Sequence, residues 1–503
     1  MNRVWRTALA AAMICACMGL IASGAVAKPA GKPTKTKHGR AARGGQLDPK
    51  FGKGGKVTVA FPAGNSGSTA PKYTLPFEFT PGHLEMARAP GGKVVVAGAT
   101  KIVRYLANGK LDPSFGNGGT VDVPSIPGSV FVLASVAVDS QGRVVLAGLA
   151  RPLPSNSAPD PLLSKAAVMR FDANGAPDTS FADGGTLVTD FGLGAPKALG
   201  GPYLGASVGL RDVVVDSADR PVVSGAYVTE VGTGRGSAES EGFVARLTET
   251  GGLDQSFGEG GIRKISSLYS VGQLGPRSSG LVALAEQSQR PYFQLAGFTE
   301  SGNLDTGFAS FGFRALNFPA APTLAVAPSG KLLLLGRPEQ HRTYRNKKVK
   351  DKETGKVVTE KVRVYVEEQT VQRLLPSGAG DPSFGRSGSL TYNDPKPGSY
   401  AAIAVDAKER IYLAGKIGKH AGTSKKGAQR TNFLLARTKP NGKPDRSFGH
   451  GATVSTDFGA RADAFATQIA IDGKGRILVG GGLESPQLAT GGGFALARYL
   501  PGS

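Results

Sequence analysis

The sequence predicts an all-β, seven-bladed β-propeller with mostly four-stranded blades. Three observations carry that expectation. An Asp-x-x-Phe signature recurs seven times at intervals of about 66 residues across 45–503. Each copy leads into short β-branched runs divided by Gly/Asp turns, as a propeller blade requires. The apolar run 494–499 stops where a signature turn is due, and residues 45–48 supply that turn with no strand before it. An open solenoid needs polar caps at both ends, whereas two unfinished halves of one junction predict a closed ring.

Residues 1–27 read as a signal peptide. Arg3 and Arg6 precede an apolar stretch, and Ala25-Val26-Ala27 gives the small residues of a cleavage site. A lipoprotein-type signal at Cys17 is the alternative. The apolar run is too short to span a membrane, so a secreted or extracytoplasmic location is expected. Both cysteines, Cys15 and Cys17, lie in this segment, which leaves the mature chain no disulfide and no thiolate metal site. Residues 28–44 hold six cations and no anion and read as a basic, disordered arm.

The ring follows at 45–503. Its signature residues are Asp48, Asp112, Asp178, Asp254, Asp305, Asp381 and Asp445, with Phe51, Phe115, Phe181, Phe257, Phe308, Phe384 and Phe448. The second repeat shows the strands: 120–123, 136–138, 144–147 and 167–171, with a turn at 140–142. Repeat four is the poorest copy, since 281–285 and 292–298 leave room for fewer strands. That blade is expected to be trimmed.

The Asp suits a turn in which a carboxylate caps backbone N–H groups. The Phe suits a wedge between blades, and the glycines nearby permit φ > 0. Arg104, Arg170, Arg246, Arg373 and Arg437 each precede their Asp by eight residues, and Arg498 precedes Asp48 equivalently across the junction. Repeat four has Gly297 there. An Arg at a strand end facing a returning Asp predicts a bidentate pair. Sevenfold recurrence favours architecture over a ring of ligand or metal sites.

The signature resembles the delta-60 repeat family. So do the strands Gly142-Arg143-Val144-Val145-Leu146-Ala147-Gly148 and Ala495-Leu496-Ala497-Arg498-Tyr499, and the similarity covers essentially all of 45–503. The resemblance implies an exported bacterial propeller-like protein and no particular activity.

Chemistry is sparse. His38, His83, His341, His420 and His450 lack metal-ligand spacing. The turns 139–142 and 472–475 hint at calcium loops, but each offers too few carboxylates. There is no Gly-x-Ser-x-Gly elbow and no phosphate-binding loop before a helix, so no catalytic residue, metal or cofactor is assigned.

The net charge of +22 is concentrated locally. Residues 342–363 carry nine cations against three anions, and 416–430 carry five against none. The first lies in an insertion at 342–369 that reads as a protruding hairpin around Glu353-Thr354-Gly355-Lys356. Both fall in the same interval of neighbouring repeats, so they are expected on one face. The matching loop of repeat three is acidic, with Glu230, Glu239 and Glu241. Arg342, Arg345, Lys347, Lys348, Lys350, Lys352, Lys419, Lys425, Lys426 and Arg430 are the candidate binding residues. The expected partner is an anionic envelope polymer or another surface protein, not a specific nucleic acid, and the protein is expected to be monomeric. A non-enzymatic binding or scaffold role is the first expectation. The alternative is a propeller enzyme, of lactonase, lyase or sugar-dehydrogenase type, with its site over the central channel.

Overall fold

A computed structural model describes residues 44–502. Excepted are 61–83, 154–163, 194–196, 199–206, 232–237, 288–291, 351–354, 394–397, 419–429, 460–461 and 485–491. Residues 1–43, which hold the expected signal peptide and nearly all of the expected basic arm, lie outside the described residues, as do His38, His83, His420, Lys352, Lys419, Lys425 and Lys426.

Seven sheets follow one another along the chain and form a seven-bladed β-propeller; their pairings are antiparallel except that Lys197–Ala198 joins the third sheet in parallel. The blades span 85–122, 129–189, 208–265, 270–316, 323–393 and 398–456. The seventh combines 463–499 with Lys56–Ala60. In blade 2 the order from the axis outward is Ser129–Val138, Val144–Pro152, Lys165–Phe171 and Thr186–Thr189. The first strand of each sheet packs against the first strand of the next, so these strands surround the axis. Among the described residues there is no α-helix, and no helix is long and apolar enough to cross a membrane.

The sequence repeat and the blade are out of phase by one strand. Thr120–Asp122 opens a repeat in sequence but pairs with Lys101–Tyr105 as the outer strand of the preceding blade. A cyclic pattern has no privileged starting point, so periodicity alone could not place the cut. The same offset closes the ring, because Lys56–Ala60 pairs antiparallel with Gly492–Tyr499, Lys56 opposite Ala497 and Ala60 opposite Gly493.

Two sequence expectations need correction. Blade 4 is not trimmed: it has four strands, the innermost being Ser270–Arg277. Its sequence, SVGQLGPR, holds two glycines and a proline and does not read as a strand. The arm boundary at 44 is also one residue late. Gly44 is buried, and its carbonyl accepts from Gly449 N at 2.8 Å, so it belongs to the ring.

Apolar side chains fill the seams between sheets. Val145, Val168 and Phe181 of blade 2 pack with Leu210, Val223 and Phe243 of blade 3, all essentially excluded from water. Strand alternation sends such residues to both faces of each blade, and both faces are covered, so strands such as Leu332–Leu335 read as continuous apolar runs.

Candidate functional site

Because the successive main strands of each blade run antiparallel, its connections sort onto two faces. Links from first to second strand and from third to fourth emerge on one face, and the others emerge opposite. The two faces are built differently.

The first is a ring of nearly identical turns. In blade 1, Arg104 Nε donates to Asp112 Oδ2 at 2.7 Å, and Nη2 donates to Ser114 Oγ at 3.3 Å. Its Nη1 crosses the seam to the carbonyl of Ala173 in blade 2, at 2.6 Å. The guanidinium carbon stands 4.3 Å from the centre of the Phe115 ring, within cation–π range. Asp112 Oδ1 meanwhile accepts from Ser114 N at 3.1 Å, closing its turn.

Arg170–Asp178, Arg246–Asp254, Arg373–Asp381 and Arg437–Asp445 repeat the ion pair at 2.7 to 2.9 Å. Arg498 Nη2 reaches Asp48 at 2.9 Å across the junction. The crossing to the next blade recurs for Arg246 on Glu300 O, Arg373 on Pro440 O, Arg437 on Pro501 O and Arg498 on Ala107 O. Arg170 is different, since its Nη1 is buried with no hydrogen-bond partner among the described residues.

Each Phe lies against a turn glycine of the next blade. An added Cβ on Gly109, which has φ +78°, would sit 2.9 Å from the Phe51 ring, so the turn conformation and the contact both require glycine there. Gly44 and Gly45 play this part for Phe448. Backbone bonds stitch successive turns: Gly52 N to Asn108 O at 2.8 Å, Gly116 N to Asn174 O at 2.6 Å, Gly258 N to Ser301 O at 2.7 Å.

Repeat four keeps the arrangement by another route. Gly297 replaces the Arg, and a Cβ there would meet Phe308 Cγ at 2.6 Å. The cation comes instead from Arg277 at the end of the inner strand. Its Nη2 donates to Asp305 Oδ2 at 2.6 Å, and its guanidinium lies 4.9 Å from the Phe308 ring centre.

A second cation system escaped the sequence reading. Asp139–Arg143, Asp216–Arg220, Asp406–Arg410 and Asp472–Arg476 pair at four-residue spacing in the first turn of their blades. Where Ala89 and Ala327 replace that Asp, the cation is Lys93 or Lys331, and it bonds the signature Asp directly at 2.9 and 3.0 Å. The signal was the regular recurrence of Asp-x-x-x-Arg. The suspected calcium turns at Asp139 and Asp472 therefore spend their carboxylates on Arg143, Arg476 and local N–H groups. Among the described residues no three His, Cys, Asp or Glu side chains converge to hold a metal.

Burial would raise the signature carboxyls, but the Ser hydroxyl, the turn N–H and the Arg charge outweigh it. Asp254 is held down at about 2, and Asp112, Asp178, Asp381 and Asp445 are lowered in the same way, Lys93 and Lys331 assisting Asp112 and Asp381.

The axis carries a third, non-recurrent set. Gln273 of blade 4 brackets Leu324 of blade 5, accepting from its N–H at 2.8 Å and donating to its carbonyl at 3.0 Å. Gln468 Nε2 on the innermost strand of blade 7 donates to Leu84 O at 2.9 Å, and Gln369, two strands out from the axis in blade 5, brackets Tyr400 in the same way. Asp212 holds the inner-strand place in blade 3, beside a bulge. It accepts from Ser135 Oγ of blade 2 at 2.6 Å and from Leu274 N of blade 4 at 2.8 Å, tying three blades.

Burial first, and the charge of Glu85 besides, push Asp212 up to about 6 against these hydrogen bonds. A carboxyl with a raised folded pKa contributes its full stability below its unfolded value and loses it as pH rises through the folded one. Between pH 4 and 7.5 this site should cost about 2 kcal/mol. Asp212→Asn is therefore expected to gain on the wild type by about 2 kcal/mol between pH 4.5 and 7.5, read from urea melts at both. A constant difference between the two proteins would contradict this.

On the opposite face the described connections differ. Gly98-Ala99-Thr100 suffices in blade 1, whereas blade 5 extends Glu339–Lys350 against Val357–Leu374 as a hairpin, from Glu339 opposite Glu368 to Lys350 opposite Val357. At about 3.4 Å per residue the paired arms run roughly 40 Å. The backbone placement of Arg342, Arg345, Lys347, Lys348 and Lys350 is thus along one arm, and Lys348 is exposed. Arg430 is exposed at the edge of the corresponding connection of blade 6. Both connections leave from second strands of adjacent blades, Leu332–Leu335 and Ile411–Gly418. His341 lies on the hairpin arm, and His450 is exposed in a turn of the other face.

Residues 90–115 match a family described as "Domain of unknown function (DUF5122) beta-propeller". The match runs from the first turn of blade 1 through Arg104, Asp112 and Phe115 and supports a β-propeller repeat. No curated protein matches the chain. Among solved structures, the dihydro-heme d1 dehydrogenase NirN is 10% identical over 83% of this chain and 66% of its own, with a TM-score of 0.37. A GH93 α-L-arabinofuranosidase of Fusarium graminearum is 8% identical over 88% and 96%, with a TM-score of 0.34. The GH32 β-fructofuranosidase BmSUC1 of Bombyx mori is 11% identical over 83% and 89%, with a TM-score of 0.26. Likenesses this distant do not bear on activity.

Proposed function

We propose that this protein is an exported, non-enzymatic binding propeller of the delta-60 repeat type, whose unlike-loop face contacts an anionic envelope polymer. The observation behind this reading is the division of labour between the faces. The recurrent charges are consumed in holding turns to one another, while the hairpin of blade 5 projects cations that the ring does not need. Lys347 and Lys348 on that hairpin, and Lys425 and Lys426 on blade 6, are the residues assigned to the contact. Lysine presents a strongly hydrated point charge, suited to a repeating phosphate or carboxylate more than to one oriented ligand.

Retention on immobilised polyphosphate is expected to fall steeply between 50 and 300 mM salt, because exposed charges are screened within about 10 Å at 0.1 M. Changing Lys347, Lys348, Lys425 and Lys426 together to Gln should abolish retention without lowering the melting temperature. Unchanged retention by that variant would leave the loops a role in solubility alone.

A second reading rests on Glu85 and Asp212, two non-recurrent carboxyls on inner strands that are close enough to couple. An enzyme over the channel would be built on this pair. Hydrolysis of a lactone that disappears in Asp212→Asn would favour that reading.

A further inference from the structure

The turn face is regular in backbone but not in charge. Around the junction of blades 6, 7 and 1 its turns carry Lys408, Lys439, Lys443, Arg446, Lys474, Lys50, Lys53 and Lys110, all exposed. None of the eight makes an ion pair with a described residue. The carboxylates of the same turns are already engaged: Asp445 with Arg437, Asp472 with Arg476, Asp48 with Arg498, Asp112 with Arg104 and Lys93.

Across the ring the pattern inverts. The outer turns of blades 2 to 4 hold no lysine or arginine, and Asp183, Glu249, Glu259 and Glu300 stand exposed there. The face is thus a plate with a cationic sector and an acidic one. The acidic residues are fewer, and two of them are offset by Arg263 and Arg143.

In the cationic sector like turns are bonded edge to edge, by Gly52 N to Asn108 O and Gly449 N to Gly44 O, which makes a continuous surface. Seven of the eight cations are lysines, which read charge density without bidentate geometry. Beside Lys110, Leu111 leaves 45% of its surface in water, an apolar group on an otherwise charged sector. A level sheet of dispersed negative charge with an apolar layer beneath it matches all three features.

We infer that the turns of blades 6, 7 and 1 form a docking surface for a lipid bilayer rich in anionic headgroups. Contact is peripheral: the lysines lie over the headgroups, Leu111 reaches the interface, and the acidic sector tilts away. The surface is independent of the loop face, so a protein bound to lipid this way holds its hairpin outward.

Sedimentation with vesicles tests this, using phosphatidylglycerol mixed with phosphatidylcholine, phosphatidylcholine alone, and free polyphosphate as competitor. The full chain is expected on the mixed vesicles and absent from neutral ones. Each cation near such a surface is worth about 1 kcal/mol, roughly fivefold in partitioning. Changing Lys53, Lys439, Lys443 and Lys474 to Gln should therefore weaken binding by a hundredfold or more, roughly. Those side chains are exposed, so an unchanged melting temperature accompanies the loss. Asp183→Asn with Glu300→Gln should not weaken it.

The loop variant of Lys347, Lys348, Lys425 and Lys426 should bind vesicles normally, and the turn variant should keep its polyphosphate retention, so either surface can fail without the other. Wild-type binding to neutral vesicles, or a turn variant that binds mixed vesicles like wild type, overturns the inference. So does complete displacement by polyphosphate at equal charge, which would make the sector a polymer site.

Discussion

Replacing Arg437 with methionine is expected to lower unfolding free energy by about 3–5 kcal/mol, the usual cost of removing one partner from a buried pair. Arg437 is 1% exposed and holds Asp445, Ser447, the Phe448 ring and the carbonyl of Pro501 at once. Methionine fills the volume but leaves the Asp445 carboxylate without its cation. Arg437→Lys should recover little, because an ammonium cannot reproduce a fork that serves three acceptors. Asp445→Asn in the methionine background should restore part of the loss, since the uncompensated charge is then gone. Urea melts of the four proteins give the coupling directly. An Arg437→Met loss under 1 kcal/mol would show that the turns hold without their guanidinium ties.

Deleting residues 45–52 should be worse still. The segment supplies Phe51, fully buried between blades 7 and 1, and Asp48, the partner of Arg498. Losing a buried phenylalanine costs about 3–5 kcal/mol, and stranding Arg498 costs a similar amount. Their total is comparable to the whole stability of an ordinary domain. The expected product is expanded and protease-sensitive, while a chain lacking 28–43 melts as the parent does. Equal melting of the two truncated chains would contradict the closure described above.

What could be read beforehand was whatever recurs. Asp48 to Phe448 gave the blade count because every seam needs the same turn, and the Arg–Asp spacing of eight is the span of one strand end and its returning turn. Arg277 was invisible for the complementary reason: its guanidinium reaches Asp305 from a different strand, at no constant separation. The strand Ser270–Arg277 was missed because its pairing partners, not its own residues, make it β. Asp212, Gln273 and Gln468 share a position around the axis but not a residue type, and equivalence of place without likeness of sequence leaves no period to detect. The basic loops were conspicuous as charge runs. The basic turns went unnoticed because their lysines are scattered between residues 50 and 474 and gather only when the ring closes.

The pairing of Lys56 with Ala497 also bears on how the molecule is assembled. Most contacts fall within one blade or between neighbouring blades, and each sheet can form as its own segment of chain becomes available. Lys56–Ala60 precedes every other described strand, yet its partner Gly492–Tyr499 follows all of them. Bringing ends so far apart together costs loop-closure entropy that grows only logarithmically with length, so distance is a small obstacle. Order is a larger one. Until the last blade exists, this strand has no edge to join, and the inner faces of blades 1 and 6 lack a neighbour. Such open edges and uncovered apolar faces invite pairing with another chain. Ring closure is therefore the step at which slow folding and mispairing between copies should compete.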